Sequence, residues 1–467
     1  MKRSIILFCS SLVLFVTIWA TTATAATYQV NSIPDLQARI DSAVAGDIII
    51  VHNGIYTTSA SITVNRQGTL SNPIRIVAQT IGGVEITGTH GFDIRSPAAH
   101  IEVEGFLFTH LSGRNQIRTG ATHIRFTHNF FECTGSGAYL TIAGDDAQVD
   151  RNELRNKTTL GNMIDVRGPG SQIARRVWIH HNYFHDFTSP GGNGAETIRF
   201  GLSGLSLSDG FGMIEHNLFE RCTGENELIS NKSSSNTYRY NTIVDSPGGE
   251  LTLRHGNDCL VYGNYFRNSA GMRIYGDRHQ VFSNYLEATI GINIGNGDGE
   301  VADGAPLTSH DRPDDCVISF NTLINNTRNY FMTGRTNGLG ATNTVFANNV
   351  IQGGGAAAGL NGLYPGGTWS GNVIWETTGA GAMPEGTYET VNPLLEPKAK
   401  GVFRPRQDSP VVDSAVGDYP AVIFDLDGQP RMGPKDRGAD EASNEPVIAE
   451  FLTPGAILRL IHGRENP

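Results

Sequence analysis

Ten side chains in this sequence bring an amide, carboxylates, an amine and guanidinium groups to close or regular spacings: Asn193, Glu196, Arg199, Glu225, Glu227, Lys232, Arg254, His255, Arg273 and Tyr275. Glu225 and Glu227 are two residues apart, which places them on one side of an extended strand. Like-charged carboxylates so held repel unless they share a proton or a cation. With the Asn193 carbonyl they offer only oxygen ligands, a set suited to Ca²⁺ rather than Zn²⁺. Such a half-site leaves positions for a carboxylate carried by a ligand. A bound cation and Arg254 beside Lys232 would both favour its neutral amine, a competent base. These are the parts that β-elimination from a uronic acid requires. The C5 proton becomes acidic when charge gathering on the adjacent carboxylate is neutralised, an amine removes it, and the O4 leaving group needs assistance. Arg254 is placed for that assistance, but a guanidinium is a reluctant acid. Tyr275, His255 and water remain as proton sources.

Residues this far apart act together only if the chain stacks them, and a recurring unit supplies the stacking. An Asn followed by any residue and then an apolar one recurs at Asn129, Asn152, Asn182, Asn217, Asn241, Asn264, Asn284, Asn321, Asn349 and Asn372. The intervals have a floor of about 20 residues with larger insertions, as in a solenoid. Each unit is strand-like and too short for a helix pair. The expected fold is all-β, a single-stranded right-handed parallel β-helix with one Asn at the same bend of every coil. Its amide would bond its neighbours above and below. A second repeat accompanies the first, with members such as Met163–Arg167, Glu196–Phe200, Glu227–Lys232, Leu251–His255 and Met272–Tyr275. It alternates polar and apolar side chains, so the ten residues should face outward. Lys232 to Arg254 is 22 residues, about one coil, which predicts that they stack on adjacent turns.

The segments Asn193-Gly194-Ala195-Glu196-Thr197-Ile198-Arg199, Glu225-Asn226-Glu227 with Ser230-Asn231-Lys232, and Leu253-Arg254-His255-Gly256 resemble the signature of polysaccharide lyase family six. That family comprises alginate lyases and chondroitinase B on a right-handed parallel β-helix. The resemblance runs from about Tyr28 to Glu441. It implies that Asn193, Glu225 and Glu227 bind Ca²⁺, that Lys232 is the Brønsted base and that Arg254 is the acid. It implies further that Glu196, Arg199, His255, Arg273 and Tyr275 line the sugar subsites. The expected partner is an anionic polysaccharide, alginate before dermatan sulfate. The sequence is expected to lack the second β-helix domain that longer members carry. A β-helix glycoside hydrolase, a C5-epimerase and a non-catalytic carbohydrate-binding β-helix are the rival readings.

The remaining features set the context. Lys2 and Arg3 precede an apolar run from Ile5 to Ala20 and an Ala23-Thr24-Ala25 cleavage pattern, which predicts a signal peptide over 1–25 and a secreted or periplasmic protein. The formal charge is −11, yet a groove can carry the opposite sign locally. No nucleic-acid signature occurs. The domain itself is expected over 26–442, with a loosely held tail over 443–467. Ser32 to Ala45 reads as a capping helix with Pro34 in its first turn, covering the open coil end. The chain beyond Pro393 is expected to close the far end. Cys259 and Cys316 fall two coils apart, too far for a bridge, which predicts free thiols. His180 and His181 read as turn residues, and so do Asp145-Asp146 and Asp425-Leu426-Asp427-Gly428.

Overall fold

The computed structural model describes residues 25–111 and 115–463, so all but the last residue of the signal segment expected over 1–25 lies outside the described residues. The described chain winds as a parallel β-helix. One sheet stacks strands in register through Val149, Ile179, Ile214, Tyr238, Val261 and Val281. A second does so through Phe184, Phe219, Ile243, Phe266, Leu286 and Leu323. A third aligns Ile164, Ile198, Ile229, Leu251, Met272 and Ile292. These residues are buried, so each winding adds a layer to one continuous core. The alternate residues of the third sheet face outward as one row: Asp165, Arg199, Ser230, Thr252, Arg273 and Asn293. Helix α1 (Ile33–Ser42) covers the N-terminal coil with Leu36 and Ile40, and the Ser32 hydroxyl accepts from the Asp35 N–H at its start.

The asparagines form the expected ladder. From Asn129 to Asn372, each side-chain amide donates to the next Oδ1 at 3.0–3.1 Å, and each backbone N–H donates to that same oxygen. The residue before each Asn is left-handed. His128, Arg151, His181, His216, Tyr240, Ser283, Phe320 and Asn348 have φ between 51° and 56°, and glycine fills the place at 263 and 371. A non-glycine residue there costs about 1 kcal/mol or more, which the paired amides offset. Asn241→Ala should therefore lower stability by about 2–4 kcal/mol, because it strands the Asn217 donors and takes the side-chain donor away from the Ile214 carbonyl in the interior. Urea unfolding followed by circular dichroism checks this, and a loss under about 1 kcal/mol would remove the ladder from the stability account.

The C-terminal segment departs from expectation. It does not close the far end but runs back along the second sheet. Asn348 binds Val416, Ala439 binds Thr322, Ser283 binds Phe424, Tyr265 binds Asp427 and Leu452 binds Thr242, at 2.6–3.0 Å. Nor is its last part loose: Ile457 and Ile461 of α2 (Pro454–His462) are buried with Phe130, Tyr183 and Leu218. The cause is in the repeat itself. The variable residue after each Asn faces outward from the second sheet, and at Phe130, Tyr183, Leu218, Tyr265 and Tyr285 it is large and apolar. That stripe requires cover. The thiols of Cys133, Cys222, Cys259 and Cys316 are free and buried, and burial pushes Cys259 up to about 12. The Asp425 carboxylate accepts from the N–H groups of Asp427 and Gln429, which makes that segment a turn.

Candidate active site

The third sheet brings most of the chemically active residues together on its outer face. Glu225 and Glu227 lie in the turn before strand Ile229–Lys232, not within a strand. They still converge, because Glu225 Oε2 accepts from the N–H groups of Gly194 and Ala195 at 2.8 and 3.0 Å. Those bonds also fix the loop carrying Asn193, which is exposed one residue earlier. Glu227 is the hub. It accepts from the Ser230 hydroxyl at 2.5 Å and from Arg273 at 2.8 Å, and forms ion pairs with Arg254 at 3.1 Å and Lys232 Nζ at 3.8 Å.

Glu196, expected to line a sugar subsite, instead joins the acidic cluster. Oxygens of Glu196, Glu225 and Glu227 all lie within 4.8 Å of one another. Glu196 is 1% exposed and is held by Asn162 at 2.8 Å and Lys232 at 3.1 Å. Burial raises its proton affinity, but the charges of Lys232 and Arg199 outweigh that and keep the carboxyl below its ordinary value. A cluster of carboxylate oxygens fits a hard divalent cation such as Ca²⁺. An ion there would compete with Lys232 for the oxygens it now contacts, leaving the amine free to face a substrate.

Lys232 and Arg254 meet on Glu227, but not by the simple register that their spacing predicts. Asn231 aligns with Leu253, whereas Lys232 aligns with His255, so Arg254 is the extra residue of a bulge. The bulge sets His255 in register with Lys232, beneath the loops that carry Ser203 and Ser309. It is 2% exposed, its Nε2 lies 3.0 Å from the Ser203 hydroxyl, and the Ser309 backbone bonds to it as well. Burial, then the charges of Arg254 and Lys232, push its pKa down to about 3. His255 is therefore a neutral imidazole near neutral pH and lacks the acidic imidazolium proton. Tyr275 is also buried, at 6% exposure, with its ring 4.7 Å from that of His310. Neither side chain faces outward as expected, because loops from other coils cover both.

Burial lowers the Arg254 guanidinium from its ordinary value, with Glu227 opposing. Its Nη1 is buried without a hydrogen-bond partner among the described residues. Arg199 sits at the margin, bonded to Asp165 at 3.1 Å and 3.9 Å from Glu196. Arg273 bridges Glu227 and Glu250, the latter at 3.0 Å. Sequence reasoning missed Asn162, Asp165, Ser203 and Glu250 as supports. For Asp165 a signal existed, since it lies one coil from Arg199 in the same repeat.

The chondroitinase B family model matches residues 30–349. No curated protein matches the chain. Among solved structures, the chain is similar to the family-six alginate lyase AlyGC, with 25% identity and a TM-score of 0.74 over 82% of this chain. The chain spans about half of that lyase, 55% of its length. A mannuronic acid specific family-six lyase from human gut microbiota shares the fold at 24% identity and a TM-score of 0.68, covering 77% of this chain and 92% of that one. The family-six lyase Pedsa3628 from Pseudopedobacter saltans does so at 20% identity and 0.57, covering 80% and 98%. With the family model spanning most of the β-helix and the site, the chain belongs to the chondroitinase B family, within polysaccharide lyase family six.

Proposed function

We propose that this protein cleaves a uronate polymer, alginate first, by calcium-assisted β-elimination. The observation that carries the reading is the meeting of Lys232 and Arg254 on Glu227, at the edge of a three-carboxylate cluster. Glu225 and Glu227 would hold the ion, joined by Asn193, with Glu196 as a further oxygen ligand. When bound, calcium neutralises the uronate carboxylate beside the reacting carbon. Lys232 takes the C5 proton. Arg254, with a buried unpartnered N–H, bonds the charge developing on O4. The proton returned to O4 comes from Tyr275 or water, since a neutral His255 lacks the acidic imidazolium proton. Arg199 and Arg273 supply positive charge along the outward row, which reconciles a polyanionic substrate with an acidic protein. Alginate is favoured because the similar structures include alginate lyases, one in complex with a trisaccharide. The expected signal peptide places the enzyme outside the cytoplasm. No helix of the described residues is long and apolar enough to cross a membrane.

The test is to incubate the protein with alginate and, separately, with dermatan sulfate, following ultraviolet absorbance of the unsaturated product. Alginate should give signal, and a calcium chelator should lower the rate at least about tenfold, with recovery on adding back calcium. New saturated ends without absorbance would indicate a hydrolase, and an intact polymer with altered uronate composition an epimerase. No product on any uronate polymer sinks the proposal.

A further inference from the structure

The ladder's longest interval, 37 residues from Asn284 to Asn321, contains an insertion across 296–315 that the coil does not need. Glu300 and Asp314 of this segment meet Asp277 from the preceding winding, with ligand oxygens within 4.8 Å of one another. The Asp277 side chain is 9% exposed. Its Oδ2 has a long contact with Arg278 at 3.4 Å, while its Oδ1 is buried and has no hydrogen-bond partner among the described residues. Asp311 is buried nearby and uses its Oδ1 to accept from the Val301 N–H at 2.7 Å.

The charges at this place do not balance. Arg312 pairs with Glu300 at 2.9 Å and Asp314 at 3.0 Å, and Arg278 makes its short bonds to Asp258 at 2.8 Å. Four carboxylates therefore share one committed guanidinium and the edge of another. Three buried aspartates of the coil differ. Asp93 pairs with Arg95 and Arg118, Asp150 with Arg125 and Arg151, and Asp165 with Arg167 and Arg199. Burial, then the charges of Asp311, Asp314 and Glu300, push Asp277 up to about 7, in keeping with a deficit of positive charge.

We infer that Asp277, Glu300 and Asp314 form a second divalent-cation site, separate from the cluster of Glu196, Glu225 and Glu227. All three donors are hard carboxylate oxygens, two on the insertion and one on a turn of the coil, a set that suits Ca²⁺. The ion fastens the insertion to the coil. The insertion in turn carries Ser309, which bonds His255, and His310, whose ring lies tilted against that of Tyr275. The site thus positions the wall behind Arg254 and takes no part in the chemistry.

The experiment is a calcium titration by calorimetry of the full chain carrying Glu225→Gln and Glu227→Gln, so that the first cluster is disabled. One Ca²⁺ per chain should bind, and calcium should slow hydrogen–deuterium exchange across 297–315. Adding Asp277→Asn and Asp314→Asn should weaken binding at least about tenfold and abolish that protection. Absence of calcium binding in the first variant overturns the inference. So does binding that the added substitutions leave unchanged. Should the combined variant fail to fold, the first variant decides alone: binding with protection confined to 297–315 supports the site, and binding without it overturns it.

Discussion

Lys232→Ala is expected to lower kcat on a uronate polymer by at least about 10³-fold, within the range that a positioned proton acceptor supplies. Polymer affinity should change less than about tenfold, because Arg254, Arg273 and Arg199 keep their places. The argument rests on geometry. Lys232 is an amine beside the row, 3.1 Å from Glu196 and 3.8 Å from Glu227, and a cation drawn to those oxygens would release it toward the substrate. Lys232→Arg should not rescue turnover, since a guanidinium keeps its proton. Steady-state kinetics with a separate binding measurement checks both, and a Lys232→Ala enzyme with near-native kcat would remove Lys232 from the mechanism.

Glu227→Ala should cost both activity and stability, which separates it from Lys232→Ala. Its carboxylate touches Ser230, Arg254 and Arg273 and faces Lys232. Removing it leaves two guanidinium groups side by side without their shared counter-charge. The stability loss should be about 2 kcal/mol, below that of a fully buried pair because Arg254 and Arg273 are 21% and 24% exposed. The fall in kcat/KM should be at least about 10²-fold, since base and leaving-group partner are both referenced to this carboxylate. Glu227→Gln keeps the shape and should recover most of the stability while leaving activity low. Thermal melts alongside kinetics give the two readouts, and a Gln variant with full activity would show that the negative charge at 227 is dispensable.

Most of the β-helix could be read from the chain because its corners repeat. Ten asparagines in one local setting require one bend, and the left-handed residue before each is fixed by the same corner. Helix α1 was legible from Ser32 and Pro34. The bulge at Arg254 was not, since a one-residue slip leaves the apolar alternation of Leu251 and Leu253 intact and alters only the residues beyond Leu253. That slip puts His255 in register with Lys232, where the loops carrying Ser203 and Ser309 cover it. Glu196 was read as a sugar contact because its distance to Glu225 depends on the loop over 189–195, whose path no repeat dictates. The outward stripe of Phe130, Tyr183, Leu218 and Tyr265 was visible, but its meaning required knowing which face of the second sheet it occupied.

The strap formed by the chain after Pro393 changes how such a molecule can come apart. A solenoid whose windings touch only adjacent windings can fray from either end, one layer at a time. Here a single stretch of backbone is tied to layers from Phe130 to Asn348, so peeling the terminal layers pulls on bonds near the middle. The rod is thereby made to melt as one unit, and the layers that hold the catalytic row share the resistance of the whole.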